Sequence, residues 1–224
     1  VSRGLGDVYK RQVVLRVDSG GGTATAGEEM AAYVRDFSKP IVVSSASMNC
    51  SAAYEISSQA DYIFVNETTA IGAIGTIMQS TDISELLDKL GISVDNIASA
   101  DSKDSSYGTR PLTDEERAYY QELVDTINET FINSVAEGRD MTVEEVRALA
   151  TGMQFAGTVA VENGLADEVG IYEDALDKAA QLGGIESFDG AYDVVSLTQS
   201  PSDLSALMDL LGTSESSSAA EMLL

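Results

Sequence analysis

A serine at position 51 is the candidate nucleophile of this chain, which contains no histidine. A serine hydroxyl needs a neighbouring base to take its proton, and that base is most often an imidazole. Without histidine, only a lysine amine, a carboxylate or an N-terminal amine could do this. Ser51 opens a short predicted helix, where backbone N–H groups could face developing negative charge. The local sequence alone favours a serine that merely caps the helix over a nucleophile, and both interpretations stay open.

A lysine is the next group to consider, because a lysine base can replace imidazole. The chain has five lysines, at positions 10, 39, 89, 103 and 178. Only Lys103 lies in a predicted loop directly after a predicted strand, although an isolated loop lysine is usually just a solvated charge. A lysine base must be neutral, so its pKa has to fall from about 10.4 to near 7, which costs about 4–5 kcal/mol. Asp101 and Asp104 would oppose this, so we expect them to face solvent or make other contacts.

A glycine run supplies the third candidate group. Gly20, Gly21 and Gly22 directly follow a predicted strand and could present bare backbone N–H groups as an oxyanion hole. The alternative is a flexible turn, and the phosphate-binding glycine patterns are absent. Cys50 precedes Ser51, but without histidine to form a thiolate we assign it to packing.

The composition excludes several classes of function. The net charge of −24 argues against nucleic-acid binding and against docking on anionic lipid through a basic patch. A single cysteine excludes an internal disulfide, and the lack of histidine makes a metal site improbable, so no metal or cofactor is expected. No run of about 18 apolar residues is present to span a membrane.

Alternating strands and helices predict an α/β domain with largely parallel strands. The predicted strands are 13–17, 41–43, 62–65, 71–78 and 92–97, and the predicted helices are 26–37, 51–59, 82–90 and 113–136. Ile83, Leu86, Leu87 and Leu90 form the apolar face of the third helix. Thr113 with Glu116 predicts a capping box, and Thr142 with Glu145 predicts another that opens a further helix.

The two ends of the chain differ from its centre. Residues 1–12 show no periodicity and resemble a translated sequencing adapter, so we expect the natural N-terminus to be missing. The predicted domain covers residues 13–196. Residues 197–224 form a Ser-rich C-terminal extension that we expect to be weakly ordered and truncated.

Five motifs in order resemble the signal peptide peptidase A family, bacterial Ser/Lys proteases with a ClpP/crotonase-like fold. They are residues 18–22 (Asp-Ser-Gly-Gly-Gly), 40–44 with 50–54 (Pro-Ile-Val-Val-Ser and Cys-Ser-Ala-Ala-Tyr), 72–76 (Gly-Ala-Ile-Gly-Thr), 103–104 (Lys-Asp) and 164–167 (Gly-Leu-Ala-Asp). The spacing of Ser51 and Lys103 is similar to that of the short, single-repeat members. The resemblance implies repeated strand-strand-helix units with largely parallel strands.

By this resemblance Ser51 is the nucleophile and Lys103 is the general base and later the general acid. The backbone N–H of Gly21 or Gly22, together with that of Ala52, would form the oxyanion hole. The implied reaction is hydrolysis of signal peptides or other membrane-derived peptides through an acyl-enzyme. Family members form ring- or dome-like homo-oligomers, held outside the cytoplasm by an N-terminal membrane anchor that we expect this chain to lack.

Three departures from the family pattern predict lower activity. Ala52 and Ala53 replace two glycines and would crowd the substrate, and Gly20 replaces a proline. Ala73 replaces a serine that in relatives helps to hold the lysine amine, which removes a hydrogen bond worth about 1 kcal/mol.

Other functions remain open at this point. They are a catalytically silent scaffold, a phage-capsid or regulatory membrane protease, and a crotonase-like acyl-CoA enzyme, the last disfavoured because no basic cluster could meet the CoA phosphates. If the Lys103 amine lies far from Ser51 within one chain, only a site shared between subunits or the scaffold would remain.

Overall fold

The computed structural model describes residues 12–185 and residue 194. The strands are β1 Val13–Ser19, β2 Ile41–Cys50, β3 Tyr62–Val65, β4 Ala70–Gly72, β5 Gln154–Ala156 and β6 Glu168–Val169. The helices are α1 Ala24–Arg35, α2 Ala52–Ser58, α3 Ser84–Lys89, α4 Asp114–Arg139, α5 Val143–Leu149, α6 Gly157–Glu162 and α7 Tyr172–Leu182. The predicted extension of 197–224 and residues 1–11 of the predicted leader lie outside the described residues.

The sheet is built around β2. Its order is β5-β4-β2-β3-β6, and β1 pairs with the other edge of β2. β3 pairs with the first half of β2, whereas β4 pairs with its last three residues, with Cys50 opposite Gly72. All pairings are parallel except that of β4 with β5. The α/β fold with largely parallel strands, predicted from the sequence, is confirmed.

Both faces of the sheet are covered, which explains the almost unbroken apolar start of β2. Val43 and Ile63 belong to the larger core on one face, together with Phe131 and Val135 of α4. Val42 and its neighbours pack on the other face against α7. Because β2 is buried on both sides, its C-terminal end is a rigid point from which a functional residue can project.

The predicted helix starts agree with the structure where a capping box marks them. The Thr113 side chain accepts the Glu116 N–H at 3.1 Å, and the Glu116 carboxylate accepts the Thr113 N–H at 2.9 Å. Thr142 and Glu145 form the same arrangement at the start of α5. α4 continues three residues beyond its predicted end, to Arg139.

The predicted strand at 92–97 is wrong. These residues form no strand, and Ile97 is 98% exposed. The predicted strand at 71–78 also ends early, at Gly72, because Gly72 and Ala73 both take positive φ angles, of 93° and 48°. An apolar run forms a strand only when a neighbouring strand can pair with it, and no strand of the described chain pairs with 92–97.

Residues 77–97 instead form a largely exposed apolar segment, which we call the 77–97 surface. Its exposed large apolar residues are Ile77, Met78, Ile83, Leu86, Leu90, Ile92, Val94 and Ile97. α3, predicted as an amphipathic helix, lies within it and has no buried residue. The apolar face predicted for this helix is present in the sequence, but most of its side chains are exposed to solvent within a single copy of the chain.

Candidate active site

Ser51 is the single residue between β2 and α2, and its backbone is strained. Its φ and ψ are 53° and −130°, close to the first central position of a type II′ turn. A non-glycine residue rarely adopts such a conformation, which costs about 1–3 kcal/mol and is typical of functional sites. A sharp strand-to-helix turn of this kind exposes a nucleophilic serine in α/β-hydrolases.

Backbone hydrogen bonds hold Ser51 from both sides. Its N–H donates to the Gly72 carbonyl at 2.8 Å, and its carbonyl accepts from the Tyr54 N–H at 2.8 Å. The Ser51 side chain, in contrast, makes no capping hydrogen bond to α2. The interpretation of Ser51 as a mere helix cap is therefore wrong, because its hydroxyl accepts no hydrogen bond from a backbone N–H of α2.

Buried polar groups hold the strand and helix that meet at Ser51. The Ser57 hydroxyl on α2 donates to Asn49 Oδ1 on β2 at 3.1 Å, and Asn49 Nδ2 donates to the Ser45 hydroxyl at 3.0 Å. The Tyr54 hydroxyl donates to the Leu165 carbonyl at 2.9 Å, which joins α2 to the 164–167 motif. These contacts fix the angle between β2 and α2 and therefore the direction of the Ser51 side chain.

Gly21 lies directly against Ser51. Its φ is +109°, and a Cβ built on it would lie 2.7 Å from the Ser51 Cβ and 2.9 Å from the Cys50 carbonyl oxygen. Because β1 runs beside β2, the loop after β1 comes to the same end of the sheet as Ser51. The Gly21 N–H donates to the Ser19 hydroxyl at 3.2 Å, whereas the Gly22 N–H makes no hydrogen bond within the described residues. Of these two glycines, Gly22 is therefore the one whose backbone N–H is available to bind an oxyanion.

Ala52 and Ala73 also lie beside Ser51. Ala52 is the first residue of α2, where N–H groups have no partner within the helix. Ala73 follows Gly72, whose carbonyl binds the Ser51 N–H. The Ala52 and Ala53 side chains are both buried, and Ala53 belongs to the main core. Their methyl groups therefore point into the protein interior rather than toward a surface that a substrate would reach.

Two titratable side chains near Ser51 are buried. Cys50 is 1% exposed, its Sγ lies 3.2 Å from the Ala70 carbonyl oxygen, and burial raises the pKa of its thiol. This agrees with packing rather than thiolate chemistry. Glu55 lies four residues after Ser51, is 4% exposed, and burial raises the pKa of its carboxyl. Sequence reasoning missed Glu55, although its i+4 spacing from Ser51 could have drawn attention to it.

Lys103 lies in a turn-rich segment and its side chain is exposed. Across residues 12–185 no hydrogen bond joins its amine to the Ser51 hydroxyl. Asp104 does make the other contacts that the sequence predicts, since Arg110 and Asn96 both donate to its carboxylate. The structure therefore gathers Ser51, Gly21, Gly22, Ala52 and Ala73, while the role of Lys103 stays a prediction.

The described residues include no group of three or more His, Cys, Asp or Glu side chains that could hold a metal ion. None of the helices between residues 12 and 185 is both long and apolar enough to cross a bilayer.

The largely parallel α/β sheet and the strained serine turn at the end of β2 are features that α/β-hydrolases also have, and sequence comparison gives the particular family. The model of peptidase family S49 matches residues 34–186, a span that includes Ser51 and Lys103. The chain belongs to peptidase family S49. The resemblance to signal peptide peptidase A seen in the motifs is confirmed.

Three relatives illustrate the similarity. A proposed protease of Methanocaldococcus jannaschii is 36% identical over 177 residues, covering 78% of this chain and 57% of that protein. A proposed protease of Synechocystis is 33% identical over 214 residues, covering 91% and 77%. A proposed signal peptide peptidase SppA of Enterococcus faecium is 38% identical over 174 residues, covering 76% and 51%. The chain thus spans little more than half of the archaeal and enterococcal proteins.

Proposed function

We propose that this chain is a serine endopeptidase that hydrolyses signal peptides or other membrane-derived peptides with Ser51 and Lys103 as its catalytic dyad. The observation that carries the proposal is the strained turn at Ser51 with Gly21 packed against it. A fold accepts strain of about 1–3 kcal/mol mainly where a side chain must be held for chemistry. The Enterococcus faecium relative is named as a proposed signal peptide peptidase, which supports the choice of substrate.

The proposed reaction transfers one proton back and forth. The Ser51 hydroxyl attacks the peptide carbonyl while the Lys103 amine takes its proton, and the carbonyl oxygen becomes an oxyanion. Backbone N–H groups of Gly22, Gly21 and Ala52 donate to that oxyanion. The Lys103 ammonium then protonates the leaving amine, and the neutral lysine activates the water that hydrolyses the acyl-enzyme.

The proposal includes assembly into a homo-oligomer, such as a ring or a dome. Lys103 is exposed within a single copy of the chain, and a contact that covered it would remove the water that favours the charged form of an amine. The 77–97 surface, which precedes Lys103 in the chain, exposes a run of large apolar side chains. Exposed apolar surfaces usually mark sites of contact with another protein. A second copy of the chain that covered the 77–97 surface could also remove water from Lys103.

We further propose that the domain works at the extracytoplasmic face of a bacterial membrane. The Enterococcus faecium relative, named as a proposed signal peptide peptidase, and the proposed membrane-derived substrates support this location. Attachment would come from a segment outside the described residues.

Cleavage of a fluorescence-quenched signal-peptide substrate tests the dyad. We expect Ser51→Ala and Lys103→Ala each to lower kcat/KM by about 10³-fold or more. Lys178→Ala is the matched control, because this lysine lies on α7 over the Tyr62 ring, on the far face of the sheet. Full activity of Lys103→Ala would exclude Lys103 as the base, and full activity of Ser51→Ala would exclude the nucleophile.

Mixing the two inactive variants tests whether the dyad is shared between copies. If Ser51 of one copy works with Lys103 of another, a mixture of Ser51→Ala and Lys103→Ala chains regains part of the wild-type activity. A mixture that stays inactive, while gel filtration shows mixed oligomers, would contradict a shared dyad.

A catalytically silent scaffold is the second candidate. The specific observation in its favour is that Ala73, rather than a serine, lies beside Ser51, so one hydroxyl that could hold a lysine amine is missing. A scaffold would assemble normally and cleave no member of a diverse peptide library. Preference for capsid-protein peptides over signal peptides would instead indicate a phage-capsid protease.

A further inference from the structure

We propose that Arg110 is a positioning residue for Lys103, because its guanidinium ties the chain on both sides of Lys103 to the first turn of α4. This inference rests on the proposed function, in which Lys103 is the base.

Arg110 contacts both flanks of Lys103. Its Nη2 donates to the Asp101 carbonyl at 3.1 Å, two residues before the lysine. The same Nη2 donates to Asp104 Oδ1 at 2.7 Å, and Nε donates to that oxygen at 3.1 Å, one residue after the lysine. A single planar group thus fixes the separation of residues 101 and 104, and the Lys103 backbone is held between them.

The other side of the Arg110 guanidinium is anchored to α4. Nη1 and Nη2 donate to the two Glu116 carboxylate oxygens at 2.8 and 2.7 Å, which is a bidentate pair. Glu116 is only 6% exposed and also accepts the Thr113 N–H in the capping box. These hydrogen bonds, chiefly those from Arg110, lower the pKa of Glu116 to about 2. The anchor therefore stays ionised at every pH at which the protein would work.

A second contact joins the same loop to α4. The Ser105 and Tyr120 hydroxyls lie 2.5 Å apart, and Ser105 also donates to the Ser102 carbonyl at 2.8 Å. Further along, α4 is fixed in the main core by Phe131 and Val135. The loop that carries Lys103 is thus attached to a rigid helix although its own side chains are mostly exposed.

Arg110 also solves a charge problem for a lysine base. A free Asp104 carboxylate beside Lys103 would stabilise the ammonium and keep the lysine protonated. In the structure Arg110 Nη2 donates to Asp104 Oδ1 at 2.7 Å, and Asn96 Nδ2 donates to Asp104 Oδ2 at 2.9 Å. The hydrogen bonds from Arg110 hold the pKa of Asp104 below its usual range, so the carboxylate is ionised, and the guanidinium, which it shares with Glu116, offsets part of its charge.

Other charged and titratable groups lie on the segments that carry this network or line the groove beside it. They are Asp101 and Tyr107 of the loop, Glu116, Arg117 and Tyr120 of α4, and Asp82 before α3. Arg110, Arg117, Asp82 and Tyr120 line one groove of about 420 Å³. Arg117 and Asp82 have opposite charges, whereas the single positive charge of Arg110 is shared between the Asp104 and Glu116 carboxylates. Loss of Arg110 therefore adds one uncompensated negative charge beside the lysine loop.

The test is the pH dependence of peptide cleavage by full-length wild type, Arg110→Met and Arg110→Met/Asp104→Asn. With Arg110→Met we expect kcat/KM at pH 7 to fall by about 10- to 100-fold, mainly through kcat, because the lysine is misplaced. We expect the acid limb of the profile to move up by about one pH unit, because the Asp104 charge is then unbalanced. In the double variant the limb should return to the wild-type pH while kcat stays low.

Arg110→Lys separates charge from geometry and covers the case in which Arg110→Met folds poorly. A lysine keeps the positive charge but cannot bridge Asp101, Asp104 and Glu116 together. We expect its acid limb to stay at the wild-type pH while kcat falls. Arg110 would be a merely structural residue if Arg110→Met and Arg110→Lys left the limb and kcat unchanged relative to wild type, or if the double variant kept the shifted limb. Full activity of Lys103→Ala would instead overturn the proposed function, so the two failures are distinguishable.

Discussion

Replacing Gly21 by alanine tests the packing of the glycine loop on Ser51. The added Cβ would lie 2.7 Å from the Ser51 Cβ, about 0.7 Å closer than the 3.4 Å at which ordinary contacts begin. It would also lie 2.9 Å from the Cys50 carbonyl oxygen. These two atoms belong to Cys50 at the end of β2 and to Ser51 directly after it, where the backbone is rigid. Either the glycine loop moves away or the two close contacts remain and destabilise the fold.

The cost of Gly21→Ala has two parts. Overpacking costs about 1–3 kcal/mol, and an alanine at φ +109° adds about 1 kcal/mol or more. A total of about 2–4 kcal/mol lowers the Tm of a domain of this size by about 5–15 °C. If the loop moves away instead, the Tm changes less but the proposed oxyanion donors are displaced, and we expect kcat to fall by about 10²- to 10³-fold.

Circular dichroism melting and peptide cleavage together measure both outcomes. Gly20→Ala is the matched control, because its Cβ would make only an ordinary 3.6 Å contact with the Met48 methyl group. We expect the control to keep wild-type Tm and activity. If Gly21→Ala also kept both, Gly21 would not lie against Ser51 and the geometry of the proposed oxyanion hole would be refuted.

Three further substitutions test the surroundings of the site. Glu55→Gln should stabilise the protein at pH 8 but not at pH 4. Burial raises the pKa of the Glu55 carboxyl, so ionisation lowers the stability of the wild-type protein only above the unfolded pKa of about 4.3. Thermal melting at both pH values measures this. Tyr54→Phe should cost about 1–2 kcal/mol in urea unfolding, because the buried Leu165 carbonyl loses its donor. Asp167→Asn should cost about 3 kcal/mol in the same assay, because it leaves Arg139, whose side chain is 8% exposed, without its carboxylate partner.

Each of these substitutions has an outcome that contradicts its reasoning. A stability gain of Glu55→Gln that is equal at pH 4 and pH 8 would exclude the ionisation penalty. An unchanged unfolding free energy for Tyr54→Phe would mean that the Leu165 carbonyl finds another donor. Glu129→Gln removes the exposed ion pair with Arg147 and should change stability little, so a loss as large as that of Asp167→Asn would contradict the role of burial.

The sequence predicts most accurately those features that local chemistry determines. The Thr113 and Thr142 capping boxes mark the starts of α4 and α5 correctly, because a cap needs only neighbouring residues. The β3 bounds also agree, because the four residues of 62–65 form one compact apolar run. β5 and β6 were not predicted, since strands of three and two residues are too short to show a period.

Features that depend on distant partners could not be predicted from the sequence. Residues 92–97 have a strand-like composition but no neighbouring strand in the described chain. The Arg110 network joins the loop that carries Lys103 to the start of α4 through side-chain hydrogen bonds. Such contacts leave no periodic pattern in the sequence from which they could be predicted. The five family motifs brought Ser51 and Gly21 into one prediction, yet the positive φ of Ser51 appears only in the folded backbone.

The strained backbone of Ser51 means that stability and the proposed catalytic role make opposite demands at this position. Glycine would accept φ 53° and ψ −130° without strain, so Ser51→Gly should unfold at a higher temperature than the wild-type protein while lacking the proposed nucleophile. Alanine would keep the strain. A directed-evolution experiment that selects only for heat resistance would therefore favour loss of the proposed nucleophile, and a screen for thermostable variants of this chain must select for peptide cleavage at the same time.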